Sequence, residues 1–260
     1  MTAPPRTRKS KPAPVNAGAE GSVDDALALA EGVATRGRIR WVLRLAGRGF
    51  LAVGGVFGLF VLLFAVVNPP TTLYMFWEGR RLGGASQVWV SADDMAPVLL
   101  RSAVAAEDAN FCRHWGFDMA AIRLAVAEGG NRGASTISQQ VVKNVFLWHG
   151  RSWARKALEG AITPAVELVW TKRRILEVYL NVAEFGPGVF GAEAAAQRYF
   201  GVSAADLSVL QAARLTAVLP DPKSRDPAKP SRFVRGRAAA IIDGAETIRA
   251  DGRAGCFERP

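Results

Sequence analysis

With 260 residues, 50% of them apolar, the chain can bury a core of ordinary domain size, and two cysteines exclude a disulfide framework. The formal net charge is +10, yet residues 1–48 hold nine basic against four acidic residues and the other 212 hold 24 against 19. Half the excess therefore sits in a short tail, which argues against a folded nucleic-acid surface.

Taken in chain order, residues 1–48 begin with Pro4, Pro5, Arg6, Arg8, Lys9 and Lys11. That composition cannot bury enough apolar surface to fold, so a basic, largely disordered tail is predicted, with a turn or two of helix over residues 26–34. Residues 49–67 carry no charge over 19 positions. As a helix such a run spans roughly 28 Å, close to the hydrocarbon thickness of a bilayer. Arg36, Arg38, Arg40, Arg44 and Arg48 precede it, and Asn68-Pro69-Pro70 ends it. The positive-inside rule then predicts one crossing, with the tail cytoplasmic and residues 68–260 outside. The segment begins too late for a cleaved signal peptide and lacks a small-residue cleavage site, so it is expected to stay as an anchor.

Leu73 to Trp77 form an aromatic run before Arg80-Arg81, suited to a membrane surface. Gln87 to Val90 read as a short extended piece. Asp93 or Asp94 can cap the next helix, placing Pro97 in its first turn, where a missing N–H is harmless. Val98, Leu99, Ala103 and Ala106 then give an apolar face, and Glu107 falls at the C-terminal end. A carboxylate there opposes the helix dipole, which pushes its pKa up toward a base's working range. Glu107 is the candidate reactive group.

Asp118 can cap a helix through Ile122 and Val126. If Ser135 caps the following helix, Thr136, Gln140 and Lys143 share a polar stripe, with Ile137, Val141 and Val145 turned to the core. Arg151, Arg155 and Glu159 recur every four residues, with Lys156 three before Glu159. That spacing suits an exposed helix laced with ion pairs, which Pro164 should kink or end. Residues 175–181 form a mainly buried helix, and residues 184–191 a glycine-rich loop too irregular for a dinucleotide fingerprint. Further helices are predicted over residues 192–200, from a Ser203 cap to residue 219, and over 234–248. The count of about seven or eight helices points to a mainly α single domain. A bridge between Cys112 and Cys256 is not expected, since Cys256 would have to return from the far tail to the Glu107 stretch.

Four ordered motifs carry a family resemblance: Glu107-Asp108-x-x-Phe111-x-x-His114-x-Gly116; Gly133-x-Ser135-Thr136-Ile137-Ser138-Gln139-Gln140-x-x-Lys143-Asn144; Arg155-Lys156-x-x-Glu159; and Arg174-Ile175-Leu176-Glu177-x-Tyr179-Leu180-Asn181. With them the chain resembles glycosyltransferase family 51, in particular the monofunctional biosynthetic peptidoglycan transglycosylases. The resemblance implies a lysozyme-like helical domain with a small membrane-proximal jaw. It implies polymerisation of lipid II into β-1,4 glycan strands, with release of polyprenyl diphosphate, at the bacterial inner membrane.

Carried onto this sequence, Glu107 is the base for the acceptor's 4-hydroxyl, and Glu159, Lys143, Arg151 and Arg155 handle the donor's diphosphate. Ser135, Thr136, Gln139, Gln140, Asn144 and Lys156 are substrate-binding, and Asp108, Phe111, His114 and Gly116 support the base. No resident metal is implied, although a divalent cation, Mg or Mn, can travel with the diphosphate. Expected partners are lipid II, the growing strand, the membrane, and cell-wall or division proteins. Departures from the pattern are Ala134, Cys112, Pro164 and Gln211. About 40 residues follow Pro220, too few for a transpeptidase domain, so polymerisation without crosslinking is expected. Two alternatives stay open: a lysozyme-like hydrolase, which also uses paired carboxylates, and a catalytically idle membrane scaffold.

Overall fold

The computed structural model describes residues 20–129, 133–150 and 152–259. The chain divides into two compact units, residues 1–59 and 60–260. The described part of the first belongs to helix α1 (Glu20–Phe64), whose last residues fall in the second. Its segment Arg40–Phe64, 25 residues long, is the one stretch among the described residues long and apolar enough to cross a membrane. The tail expected to be disordered is thus helical from Glu20 onward, because Ala, Leu and Arg, all strong helix formers, recur through residues 20–48. Residues 1–19 lie outside the described residues. The helix stops at Phe64, three residues short of the charge-free run, where the chain turns toward Asn68-Pro69-Pro70.

The second unit opens with α2 (Leu73–Leu82), capped by the Thr72 hydroxyl. Helix α3 (Pro97–Glu107) does begin with Pro97 in its first turn and end at Glu107, but neither Asp93 nor Asp94 caps it. Both lie in a separate 3-10 turn, Ala92–Asp94, capped by Ser91. Asp118 caps α4 (Met119–Ala127) as expected. Helix α5 (Ile137–Phe146) is capped by Thr136 rather than Ser135, one residue later than predicted, because Gln139 reaches back to the Thr136 N–H and completes a capping box.

Helix α6 (Trp153–Val169) continues past Pro164 rather than ending there. The interior proline costs about 3 kcal/mol of helix preference, and the helix persists with Glu159, Thr163, Val166 and Glu167 buried. Helix α7 (Lys172–Val182) follows. The segment expected to be a glycine-rich loop is a small hairpin instead: β2 (Glu184–Gly186) pairs antiparallel with β3 (Val189–Phe190). Strand β1 (Ser86–Gln87) adds parallel to β3, giving the order β1-β3-β2. Helix α8 (Ala192–Phe200) has its expected bounds. Ser203 caps only a 3-10 turn, and α9 (Val209–Val218) has its own capping box between Ser208 and Gln211. Gln211, a departure from the family pattern, serves as that box residue. Helix α10 (Arg232–Ala250) is the tenth α-helix among the described residues.

Two helix groups hold the fold. Helices α3, α9 and α10 pack on one another, and α5 packs between α6 and α7. Ala213, Ala217 and Val218 of α9 meet Val234, Ala238 and Ile241 of α10, and the alanines let the two backbones approach closely. In the other group, Ile137, Val141 and Val142 of α5 are buried, as are Ile175, Leu176 and Val178 of α7. Burying each such large aliphatic side chain contributes about 1.5–3 kcal/mol.

The two cysteines are bonded, contrary to expectation. Beyond α10 the chain reverses at Gly252, with φ of +73°, and a 3-10 turn over Arg253–Cys256 returns to the Glu107 stretch. Cys112 and Cys256 form a disulfide with their Cα atoms 5.7 Å apart. It spans a sequence separation of 144, and a loop of that size removes about 5 kcal/mol of unfolded-chain entropy at 25 °C in the chain-entropy model.

Candidate active site

Glu107 ends α3 facing α5. Gln140 of α5 donates its Nε2 to Glu107 Oε2 at 2.9 Å, and the hydroxyl of the buried Tyr179 donates to Gln140 Oε1 at 3.4 Å. On the other side, Arg237 of α10 places Nη2 3.4 Å from Glu107 Oε1 and 3.2 Å from the Ala106 carbonyl. Burial pushes the Glu107 carboxyl above the usual glutamate range; the Gln140 hydrogen bond and the charges of Arg237 and Lys143 pull it part of the way back. The direction matches the sequence reading, but the leading cause is desolvation rather than the helix dipole. A cleft of about 550 Å³ opens beside Glu107, with Asp108, Asn110, Ser135 and Thr136 in its wall.

The neighbouring motif residues build the support. Asp108 accepts from His114 Nε2 at 2.8 Å and from the Ile137 backbone N–H at 3.0 Å, tying the turn after α3 to the start of α5. An anion at that position also complements the helix dipole of α5. Phe111 is wholly buried, with the Lys172 ammonium 4.5 Å from its ring centre. Lys172 also donates to the His114 carbonyl and to Glu167. Gly116 adopts φ of +80°, and a Cβ there would stand 2.5 Å from Thr163 Cγ2 of α6. Its carbonyl accepts from the Thr136 hydroxyl at 2.6 Å.

Glu159 was predicted on an exposed, ion-paired helix. The pairs exist, but the carboxylate is 2% exposed. One oxygen accepts from Arg155 Nη1 at 2.7 Å and the other from Lys156 Nζ, which also reaches Ser135 Oγ at 3.1 Å. Burial lowers the Lys143 pKa, offset in part by the Glu159 and Glu107 charges. Among the described residues Lys143 donates to no acceptor, and it lines a second cleft of about 260 Å³ with Gln140, Asn144 and Tyr179. Thr136 and Gln139 direct their polar groups into the α5 cap. Arg151 lies outside the described residues.

Several residues at these clefts escaped the sequence reading. Arg237 follows Glu107 by 130 residues, with no local spacing to betray it. In the second cleft the Tyr74 hydroxyl donates to Glu184 Oε2 at 2.5 Å, and Lys223 bridges Glu78 and Glu184 at 2.6 and 3.8 Å. Burial, then the Glu184 hydrogen bond, push Tyr74 up to about 12. His149 stacks on Tyr74 with ring centres 3.5 Å apart. Burial and the charges of Lys143, Arg155 and Lys223 hold it down at about 4, so it is neutral at pH 7.

Comparison with known proteins accords with this geometry. Residues 78–246 match the sequence model of the Transglycosylase family. A biosynthetic peptidoglycan transglycosylase of Jannaschia sp. (strain CCS1) is 64% identical over 218 residues, covering 84% of this chain and 90% of the relative. Proteins of the same description from Cronobacter sakazakii (strain ATCC BAA-894) and Caulobacter vibrioides (strain ATCC 19089 / CIP 103742 / CB 15) are 50% and 48% identical, over 76% and 75% of this chain and 87% of each relative. These matches favour synthesis over the hydrolase and scaffold alternatives. The chain belongs to the transglycosylase family, with its lysozyme-like helical domain, and is a peptidoglycan glycosyltransferase of cell-wall synthesis.

Proposed function

We propose that the substrate is lipid II, serving both as acceptor and, with the growing strand, as donor, and that Glu107 is the catalytic base. Glu107 removes the proton from the acceptor's 4-hydroxyl, the oxygen attacks the donor's anomeric carbon, and the bond to the diphosphate breaks. Polyprenyl diphosphate leaves with the negative charge. The observation that carries this reading is a buried carboxylate at the end of α3, hydrogen-bonded by Gln140, with its pKa raised by desolvation and coupled through charge to Lys143 of α5. Raised basicity suits proton abstraction, and preorganised cations in a dry cleft stabilise the departing diphosphate.

Glu159 acts on the cations. With both oxygens engaged by Arg155 and Lys156, it fixes their geometry toward the diphosphate. Ser135 extends the array by holding Lys156, and Asn144 contributes from the second cleft. Arg151 is assigned to the same group on sequence grounds. Among the described residues no three His, Cys, Asp or Glu are grouped to hold a metal ion. A divalent cation, Mg or Mn, is assigned to the substrate diphosphate.

The membrane half of the reading places α1 across the bacterial inner membrane, with its N-terminus cytoplasmic and the catalytic domain periplasmic. The apolar Arg40–Phe64 segment supports the anchor. Exposed Phe76, Trp77, Trp153 and Leu168 support a jaw seated in the lipid surface that delivers the polyprenyl substrate. Cell-wall or division proteins are the expected partners.

The test is incubation of purified protein with lipid-linked disaccharide-pentapeptide in detergent. Glycan polymer is expected. Absence of polymer, with cleavage of preformed strands instead, would overturn the assignment. Alkaline phosphatase fused after Pro260 should be active and fused at Gly47 inactive; the opposite pattern would remove the topology.

A further inference from the structure

We propose that residues 253–259 form a disulfide-locked clasp that positions the Glu107 turn, with Cys112, Cys256 and Arg253 as its positioning residues. The mechanistic part rests on Glu107 as the base. The family-model match ends at residue 246, before the clasp.

The turn that follows Glu107 is short, with Phe111 as its buried aromatic. Its stiffness comes from outside, and much of it from this tail. Cys256 bonds Cys112 in the middle of the turn. Arg253 Nη1 donates to the Ala109 carbonyl at 3.0 Å, two residues past Glu107. Phe257, 1% exposed, places its ring 6.4 Å from that of Phe111, while its own carbonyl accepts from Arg173 of α7. Glu258 accepts from Arg101 of α3 at 2.7 Å, one and a half turns before the base. The tail therefore grips both the helix that presents Glu107 and the turn that fixes its end.

Asp108 explains why that grip reaches catalysis. It is adjacent to Glu107 and holds His114 and the start of α5 at once, and α5 in turn carries Gln140 and Lys143. These contacts require residues 108–114 to remain closed. With the clasp open, Glu107 loses its fixed distance to the acceptor site, and a displacement of about 1 Å at a reacting group can cost about a hundredfold in rate.

Bond formation is a thiol–disulfide exchange. The Cys112 and Cys256 thiols lose two protons and two electrons as the S–S bond forms, and a disulfide of an oxidising partner protein is reduced to two thiols. Such exchange belongs to an oxidising compartment, where the proposed topology puts the domain.

Membranes quenched with a thiol-reactive maleimide provide the first test. No label is expected on the folded chain, and two labels after denaturation with reductant; two free thiols in the native protein would overturn the clasp. The second test measures polymerisation by Cys256→Ser and by Arg253→Ala, at temperatures where circular dichroism shows each variant folded. Turnover is expected to fall at least tenfold for Cys256→Ser and severalfold for Arg253→Ala, with KM within twofold of wild type. Reduction of the folded wild-type protein should reproduce the Cys256→Ser value. Unchanged turnover beside a lowered melting temperature would make the tail a stabiliser only, and the positioning role would be lost. Glu107→Gln is assayed in parallel. Wild-type polymerisation by that variant would refute the base assignment, whereas wild-type turnover of Cys256→Ser beside an inactive Glu107→Gln would refute the clasp alone.

Discussion

Arg237 Nη2 stands 3.4 Å from Glu107 Oε1, so a guanidinium from α10 faces the candidate base while it also caps the Ala106 carbonyl at the end of α3. Its charge lowers the Glu107 pKa against the larger upward push of burial. The balance is a carboxylate more basic than a solvated glutamate. Replacing Arg237 by Gln removes the opposing charge, so the Glu107 pKa should rise further. Only the ionised form accepts a proton, and the acid limb of kcat/KM should therefore move to higher pH. An unmoved limb in a pH–rate profile would show that Arg237 is not felt at the carboxylate.

The same desolvation should appear as a stability cost. A carboxyl whose folded pKa exceeds its unfolded value binds protons more readily when folded, so its contribution to stability falls as pH rises through that window. Above the folded pKa the full penalty of the buried charge is present. Glu107→Gln is then expected to abolish polymerisation and to raise the melting temperature at neutral pH, with the gain shrinking as pH is lowered. A variant less stable than wild type at pH 7 would contradict the raised pKa.

Gly116 tests how the Glu107 motif is built into α6. At φ of +80° a side chain is strained, and a Cβ would meet Thr163 Cγ2 at 2.5 Å. Gly116→Ala should cost about 1–3 kcal/mol, measurable as a fall of several degrees in melting temperature, roughly 2–4 °C per kcal/mol for a domain of this size. Turnover should fall as well, since Thr163 lies one turn from Glu159.

How much of this could be read in the sequence depends on the range of the interaction. Helices ending or capped by local signals were legible: Pro97 and Glu107 bound α3, Asp118 caps α4, and residues 192–200 give α8. Capping failed where two candidates adjoined, as with Ser135 and Thr136, because the reach of Gln139 decides between them. Pro164 does not end α6, because the residues beyond it, Val166 and Glu167 among them, are buried by packing that local propensity does not register. The motifs contain Glu107 and Glu159, but their spacing does not show that Glu159 is buried. Arg237, Lys223 and the Cys112–Cys256 bond come from distant parts of the chain, and nothing in their local spacing marks them.

Lys143 is a cation held against desolvation. Burial lowers its pKa, and Glu159 and Glu107 supply the compensating charge. Lys143→Ala should lose at least tenfold in turnover, about 1.4 kcal/mol of transition-state stabilisation, without loss of fold. Because its folded pKa is depressed, the charged form is disfavoured by folding at neutral pH, and the variant's melting temperature should be equal or higher. Near-normal turnover would return Lys143 to the role of a surface charge.

The last comparison separates the two carboxylates. Glu107 needs to be ionised, basic and open to the acceptor, and it lies at a cleft with one hydrogen-bond donor and one distant guanidinium on its oxygens. Glu159 is enclosed, with Arg155 on one oxygen and Lys156 on the other. Removing a proton acceptor stops the chemical step, whereas removing the organiser of a cation cluster disturbs charge while leaving the base in place. Glu107→Gln should therefore eliminate polymerisation while lipid II still binds. Glu159→Gln should slow turnover and weaken donor binding, since Arg155 and Lys156 lose the charge that aligns them and repel each other. No covalent sugar adduct should accumulate in either variant, because the acceptor hydroxyl rather than a carboxylate attacks the donor. Turnover at the wild-type rate in Glu107→Gln, with none in Glu159→Gln, would reverse the two roles.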